Sequence, residues 1–206
     1  GLGDVYKRQI YRGYTMIELP EAIEMNVLEI LDFITYMDDG ASIPEEVLNN
    51  TPERVRKAYN HIFGGYNMTF SDIATVFEND SDYDQMVYMR DIEFYSMCEH
   101  HMIPFFGKAT VAYIPKDKVI GASKLARLVD MYSRRLQIQE RMTQQIVDAL
   151  FEELQCVGAA CHVEAEHLCM KMRGVEKQHS VMGTTALRGI FKTGTAKQEF
   201  LQLLRK

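Results

Sequence analysis

No stretch of this 206-residue chain is apolar for long enough to cross a bilayer. Nor does a charged start lead into an apolar stretch and a small-residue cleavage site. A cytoplasmic protein without a membrane partner is therefore expected. A basic excess is missing too: 29 acidic against 23 basic side chains leave a formal charge of -6. That argues against a nucleic-acid partner, which a basic stripe would serve, so an anionic ligand would need a local basic cluster. Cysteine is scarce. Cys98, Cys156, Cys161 and Cys169 are too few and too unevenly spread for a disulfide framework. With histidines nearby, they point to metal binding or to plain burial. Internal repeats and low-complexity segments are also lacking. With 47% apolar and 25% charged residues, the remainder reads as one globular domain plus a smaller segment. The opening GLGDVYKRQIYRG has no methionine and no periodicity. Residues 1 to about 12 are expected to be foreign to the native chain and stand outside the fold argument.

What is present begins with helices. ELPEAIEMNVLEILDFITYM places Ile23, Val27, Ile30, Leu31 and Ile34 at helical spacing, with Pro20 near the start. SIPEEVLNN and NTPERVRKAYNHIFGG predict two further short helices, the second capped by Thr51, opened by Pro52 and stopped by Gly64. Residues 13–80 thus form a helical segment, with a loop from Phe70 to Ser81. Residues 81–206 carry the chemistry. A strand is predicted over about 86–96 and another in KATVAYIP, flanking the turn CEHH at residues 98–101. Leu125, Leu128, Val129 and Tyr132, then Met142, Ile146, Leu150 and Leu154, mark two helices broken near RRLQIQ. GAACHVEAEHLCMKMRG and SVMGTTALRGIFK predict two strands, and AKQEFLQLLRK a helical tail. Strand, strand, helix, helix, strand, strand is an α+β order with an antiparallel sheet.

CEHH sets a thiol, a carboxylate and two imidazoles side by side. At a turn, Cys-x-x-His closes as a short chelate, which selects Cys98 and His101. Two ligands do not hold zinc tightly, and no second paired motif lies downstream. The third ligand must stand alone in sequence. Alternation in CHVEAEHLCMKMRG puts Cys161, His167, Cys169, Lys171 and Arg173 on one strand face, so Cys169 completes the shell with His167 beside it. Three ligands with an open position mark a catalytic zinc, and thiolate with imidazole favours zinc over magnesium or calcium. Arg173, four strand residues from Cys169, is expected roughly 13 Å away. In GASKLARL, Ser123 as N-cap with Lys124 and Arg127 behind it suggests a phosphate site. Each feature also has a plain explanation: half-buried side chains at a turn, a small core cysteine, a satisfied histidine, a solvated helix face. Cys156 and Cys161 are taken as core residues.

SMCEHHMIPFFGKATVAYIPKDKVIGASKLARLVDMYSRRLQIQERMTQQI, AEHLCMKMRGVEKQHS and TPERVRKAY together resemble GTP cyclohydrolase I, from about residue 19 to the C-terminus. The resemblance implies the tunnelling fold: a ββααββ unit whose four-stranded antiparallel sheets join into a barrel across subunits. It further implies a homodecamer with sites shared between subunits. The implied reaction converts GTP and water to 7,8-dihydroneopterin triphosphate and formate, at the entry to folate or tetrahydrobiopterin synthesis. On matching positions, Cys98, His101 and Cys169 look like the zinc ligands. His100 looks like the acid that protonates the purine during attack at C8, and His167 like the second acid–base group near the ribose. Glu140 looks like the guanine reader, with Gln139 beside it among the substrate-binding residues. Lys124, Arg127 and Arg173 look like the triphosphate clamp, with Arg54 from a neighbouring subunit, and Ser123 like an aid to the ribose rearrangement. VMGTTALRG departs from the family's threonine- and serine-rich last strand.

Three rivals follow. A zinc nucleoside deaminase needs H-x-E together with P-C-x-x-C, and no P-C-x-x-C occurs. A related cyclohydrolase would open the ring but give a different product. A non-catalytic zinc-stabilised module would bind GTP and release no formate.

Overall fold

The helical spacing in LPEAIEMNVLEILDFITY becomes α1 (Leu19–Tyr36), followed by α2 (Glu45–Ile62). The structure, a computed structural model, describes residues 19–36 and 43–205, so the expected foreign stretch lies outside the described residues. The chain divides into two units, residues 1–61 and 62–206. In the first, Arg56 Nε donates to Glu24 Oε1 at 2.8 Å and ties α2 to α1. One continuous helix replaces the two expected around Thr51. Pro52 removes only the bond to the Leu48 carbonyl, and its ring is buried, so packing offsets the loss. Thr51 is consequently no cap. The helix ends at Ile62, ahead of Gly64.

The second unit starts earlier than residue 81, because the segment after Ile62 bonds into it. Gly65 N donates to the Arg134 carbonyl at 3.1 Å, and Arg135 Nη2 donates back to the Gly65 carbonyl at 2.8 Å. A Cβ at Gly65 would strike the Met131 carbonyl, so only glycine permits this approach. Where a loop was expected, Thr69 and Asp72 form a capping box that opens α3 (Phe70–Ile73). β1 (Val76–Glu78) then pairs with a distant segment that no local pattern announces.

The sheet runs in the order β5 (Leu136–Gln137), β2 (Val87–Cys98), β3 (Pro104–Ile114), β6 (Gly158–His167), β7 (Met182–Gly189). β2 (Val87–Cys98) and β3 (Pro104–Ile114) form an antiparallel hairpin around CEHH. β4 (Lys118–Ile120) is the partner of β1. α4 (Ala122–Ser133) leads to β5 (Leu136–Gln137), a two-residue strand parallel to β2 at Met97 and Cys98. The sheet is therefore mixed at this edge, where four antiparallel strands alone were expected. α5 (Gln139–Leu154) and then β6 (Gly158–His167), α6 (Leu168–Lys171) and β7 (Met182–Gly189) follow. α4 and α5 cover one sheet face. Leu125, Leu128, Val129, Met142, Ile146 and Leu150 meet Phe94, Phe105, Val111 and Val163 in the main core. Burying each such Leu or Ile contributes roughly 1.5–3 kcal/mol. This burial, more than helix propensity, holds the helices in place. On the other face α7 (Gly194–Leu203) seals one end, where Phe191 and Phe200 pack on Ala112 and Ala160.

Candidate active site

The CEHH turn is built by its own backbone. Cys98, the last residue of β2, receives bonds at its carbonyl from His101 N at 3.3 Å and Met102 N at 2.8 Å. Met102 takes a left-handed φ of 51°, and the chain re-enters the sheet where Cys98 N donates to the Ile103 carbonyl at 3.0 Å. The tight turn brings His101 back over Cys98, with Nδ1 3.5 Å from Sγ. His100 is outside this contact: its side chain is 65% exposed, its Nε2 lies 3.8 Å from Glu99 Oε1, and its ring stands edge-on to that of His101 with centroids 6.3 Å apart. Of two adjacent exposed imidazoles, the turn thus brings one, His101, to the thiol.

Glu99, which chemistry alone made a candidate ligand, is instead an anchor. Arg141 of α5 pairs with its carboxylate, and Arg141 Nε also donates to Gln137 Oε1 at 3.1 Å. Glu99 N donates to the Gln137 carbonyl at 3.0 Å. Neither Arg141 nor Gln137 stood out in the sequence; the only local signal was their four-residue spacing on either side of the α5 start.

Cys169 arrives from the C-terminal end of β6, which pairs with the start of β3 beside the turn. β6 stops at His167, and the chain turns into α6, so the strand expected to run on to Arg173 does not form. Lys171 Nζ reaches Glu166 Oε2 at 2.6 Å across this turn and holds it. Arg173 follows the helix back, and its Nη1 donates to the Cys169 carbonyl at 3.2 Å, which replaces the extended separation of roughly 13 Å anticipated from strand geometry. Cys98, His101 and Cys169 place their Sγ and ring nitrogen atoms all within 4.8 Å of one another. The thiols are buried and the imidazole is exposed. Burial pushes the Cys169 thiol above its ordinary value, and the facing Cys98 adds to this, with partial relief from Arg173. Two thiols and an imidazole so arranged fit a thiophilic cation, whose charge would reverse that penalty.

His167 stands beside the trio. Its ring stacks on Phe105, centroids 4.6 Å apart, and its Nε2 lies 2.7 Å from Gln139 Oε1. Burial lowers its pKa and the charge of Glu140 partly restores it. Glu140 is exposed in the first turn of α5, and Gln139 before it is buried.

The basic cluster lies elsewhere in the chain. Gly121, not Ser123, caps α4, so Ser123 and Lys124 fall in its first turn, with Arg127 just beyond. Ile120 N donates to the Tyr113 hydroxyl, and Tyr113 pairs with Val87, at the opposite end of β2 from Cys98. It is the C-terminal end of α4 that reaches Cys98, through β5. With 12 residues, α4 is about 18 Å long. Ser123 and Lys124 therefore sit roughly 14–15 Å, and Arg127 roughly 9 Å, along the helix from the end that reaches Cys98. Arg54 belongs to the first unit, where it pairs with Glu46 at 2.6 Å.

A family profile described as GTP cyclohydrolase I matches residues 23–205. The chain belongs to the GTP cyclohydrolase I family. The GTP cyclohydrolase 1 of Wolinella succinogenes is 52% identical over 186 residues, covering 89% of this chain and 96% of that one. That of Methylococcus capsulatus is 47% identical over 182 residues, 87% of this chain and 97% of that one. Pseudomonas putida has a GTP cyclohydrolase 1 1 that is 48% identical over 185 residues, 89% of this chain and 95% of its own. Among solved structures, the apo archaeosine synthase QueF-Like covers 50% of this chain and 93% of its own at 16% identity and a TM-score of 0.40, too loose a likeness to argue from. Members of the GTP cyclohydrolase I family convert GTP to dihydroneopterin triphosphate, and the chain is a hydrolase of that kind. The deaminase reading falls with this assignment. Among the described residues no helix is long and apolar enough to cross a membrane.

Proposed function

We propose that the chain is a zinc enzyme that converts GTP and water to 7,8-dihydroneopterin triphosphate and formate in the cytoplasm, at the entry to folate or tetrahydrobiopterin synthesis. The observation that carries this is the convergence of Cys98, His101 and Cys169 from segments about seventy residues apart. These three would hold the ion. Zinc, when bound, supplies Lewis-acid activation of water for opening the imidazole ring at C8.

The remaining work falls to side chains. His100, solvent-facing at the same turn, donates a proton to the purine as the ring opens. His167, half-buried against Phe105, exchanges protons during the later ribose rearrangement and reclosure, and Ser123 assists there. Glu140, exposed at the α5 start, accepts hydrogen bonds from the guanine ring N–H and exocyclic amine. Arg173 takes the triphosphate from the side of the trio. Gln139, expected beside Glu140 among the substrate-binding residues, is buried with its amide engaged by protein groups at both ends.

Lys124 and Arg127 complete the clamp from a second copy. Within one chain Lys124 lies roughly 14 Å and Arg127 roughly 9 Å along α4 from the end that reaches Cys98, a separation that favours their serving the pocket of a second copy. A homo-oligomer of tunnelling-fold units, ordered as a decamer, supplies the missing half, and Arg54 enters from a neighbour. The edge strands of the sheet, with β7 open on one side, suit such joining.

The test is formate and pteridine release from GTP by reduced, zinc-loaded protein, against a chelated control. Both products, abolished by chelation, support the assignment. Formate without pteridine would mean a cyclohydrolase that stops at an earlier product. Neither product, with zinc bound and oligomers intact, would leave a GTP-binding module.

A further inference from the structure

Gln139 is the first residue of α5 and is 1% exposed. Its Nε2 donates to the Val163 carbonyl at 3.0 Å and the Met182 carbonyl at 2.9 Å, on β6 and at the start of β7. A third neighbour, Thr184 Oγ1, lies at 3.2 Å. Carbonyls only accept, so the amide nitrogen must face them and the amide cannot be turned over. Thr184 follows suit. Thr143 Oγ1 donates its one proton to the Gln139 carbonyl at 2.7 Å, which obliges Thr184 Oγ1, 2.7 Å away, to donate to Thr143. Its lone pairs are then what it offers to Gln139.

With the nitrogen committed, Oε1 is the atom left facing His167, 2.7 Å from Nε2. An amide oxygen accepts, so Nε2 must carry a proton. A neutral imidazole carries only one, so Nδ1 is bare. The Phe105 ring, parallel within 2°, keeps the imidazole from rotating out of this arrangement.

We propose that Gln139 is a positioning residue that locks His167 as its Nε2–H tautomer and makes Nδ1 the atom through which His167 serves the reaction. This rests on the acid–base role assigned to His167 above. Gln139 does not touch substrate; it reads three acceptors of the sheet and passes the result to one ring nitrogen. In the proton transfer itself, Nδ1 accepts a proton from the ribose-derived chain and later returns it, while the Nε2–H stays in place throughout. No other reactant is needed.

The test uses zinc-loaded oligomer with Gln139→Met, which keeps length and removes both polar atoms, beside His167→Gln. Zinc content, formate and pteridine are measured from GTP. Gln139→Met is expected to retain zinc and formate release, and to lose pteridine formation by on the order of 10²-fold in kcat with KM little changed. Unchanged pteridine formation in Gln139→Met, with His167→Gln impaired, would overturn the inference alone. Full pteridine formation in His167→Gln would overturn the role of His167 itself. Should Gln139→Met fail to assemble, solid-state nitrogen NMR of the wild-type oligomer with labelled histidine decides. The His167 signal, assigned by its loss in His167→Gln, is expected to show Nε2 protonated and Nδ1 bare, and the reverse pattern would overturn the proposal.

Discussion

Phe105 and His167 face each other across the β3–β6 ladder as register partners, their rings 4.6 Å apart and within 2° of parallel. A residue that reads in the sequence as one more apolar strand position thus lies flat against the His167 imidazole. Phe105 is fully buried, so Phe105→Ala should destabilise the protein by about 3–5 kcal/mol, seen in denaturant unfolding. Phe105→Leu keeps most of the volume and loses the stack, worth about 0.5–1.5 kcal/mol. It is expected to hold zinc and release formate, yet form less pteridine per formate than the wild type. An unchanged product ratio would show that the stack does not orient His167.

Cys98→Ser, His101→Ala and Cys169→Ser should each abolish stoichiometric zinc and turnover, measured by metal analysis of reduced protein. His100→Ala should keep its zinc and lose formate release, because His100 is not one of the three converging groups. A metal-free His100→Ala would mean that the two imidazoles exchange places.

Glu99 and Arg141 are 27% and 41% exposed, so their pairing adds little to global stability, about 1 kcal/mol or less. Its effect should be local. Glu99→Gln is expected to unfold at nearly the wild-type temperature and to surrender zinc to a chelator about tenfold faster. Equal release rates would dismiss the anchor.

Subunit mixing tests the shared pocket. Lys124→Ala and Cys98→Ser oligomers should each be inactive. Dissociated and reassembled together, they should regain activity, since some interfaces unite an intact trio with an intact basic cluster. No recovery in well-formed mixed oligomers would place both groups in one chain's own pocket.

Burial and the facing Cys98 hold the Cys169 thiol above its ordinary value, so at neutral pH the metal-free site carries protons that the metal must displace. Raising pH removes these protons without cost to the metal. Zinc affinity should therefore rise with pH and fall on acidification, and loading should release protons, read by calorimetry in buffers of different ionisation enthalpy. Loading without proton release would show that the Cys169 thiol is already ionised.

The amphipathic helices and the metal trio were legible in the residues themselves. Leu125, Leu128 and Val129 carry their period locally, and Cys-x-x-His is a chelate because a turn joins neighbours whatever surrounds it. Cys169 was reached by the chemistry of an incomplete shell together with a strand alternation that the backbone abandons after His167. Tertiary structure alone decided the rest. The strand ends at His167 because α6 brings Cys169 back to the trio, and alternation continues in the letters past the point where the backbone stops obeying it. β5 and β1 exist only by pairing with distant strands. The basic cluster lies along the N-terminal half of α4, away from the trio, because α4 packs with its C-terminal end toward Cys98, a direction set by core packing and not by any motif. Gln139, which looked like a neighbour of the base reader, meets His167 only because β6, β7 and the α5 start close on one another. Local chemistry repeats along a chain and can be read there; which groups face each other depends on how buried surfaces fit, and that is settled only in the folded molecule.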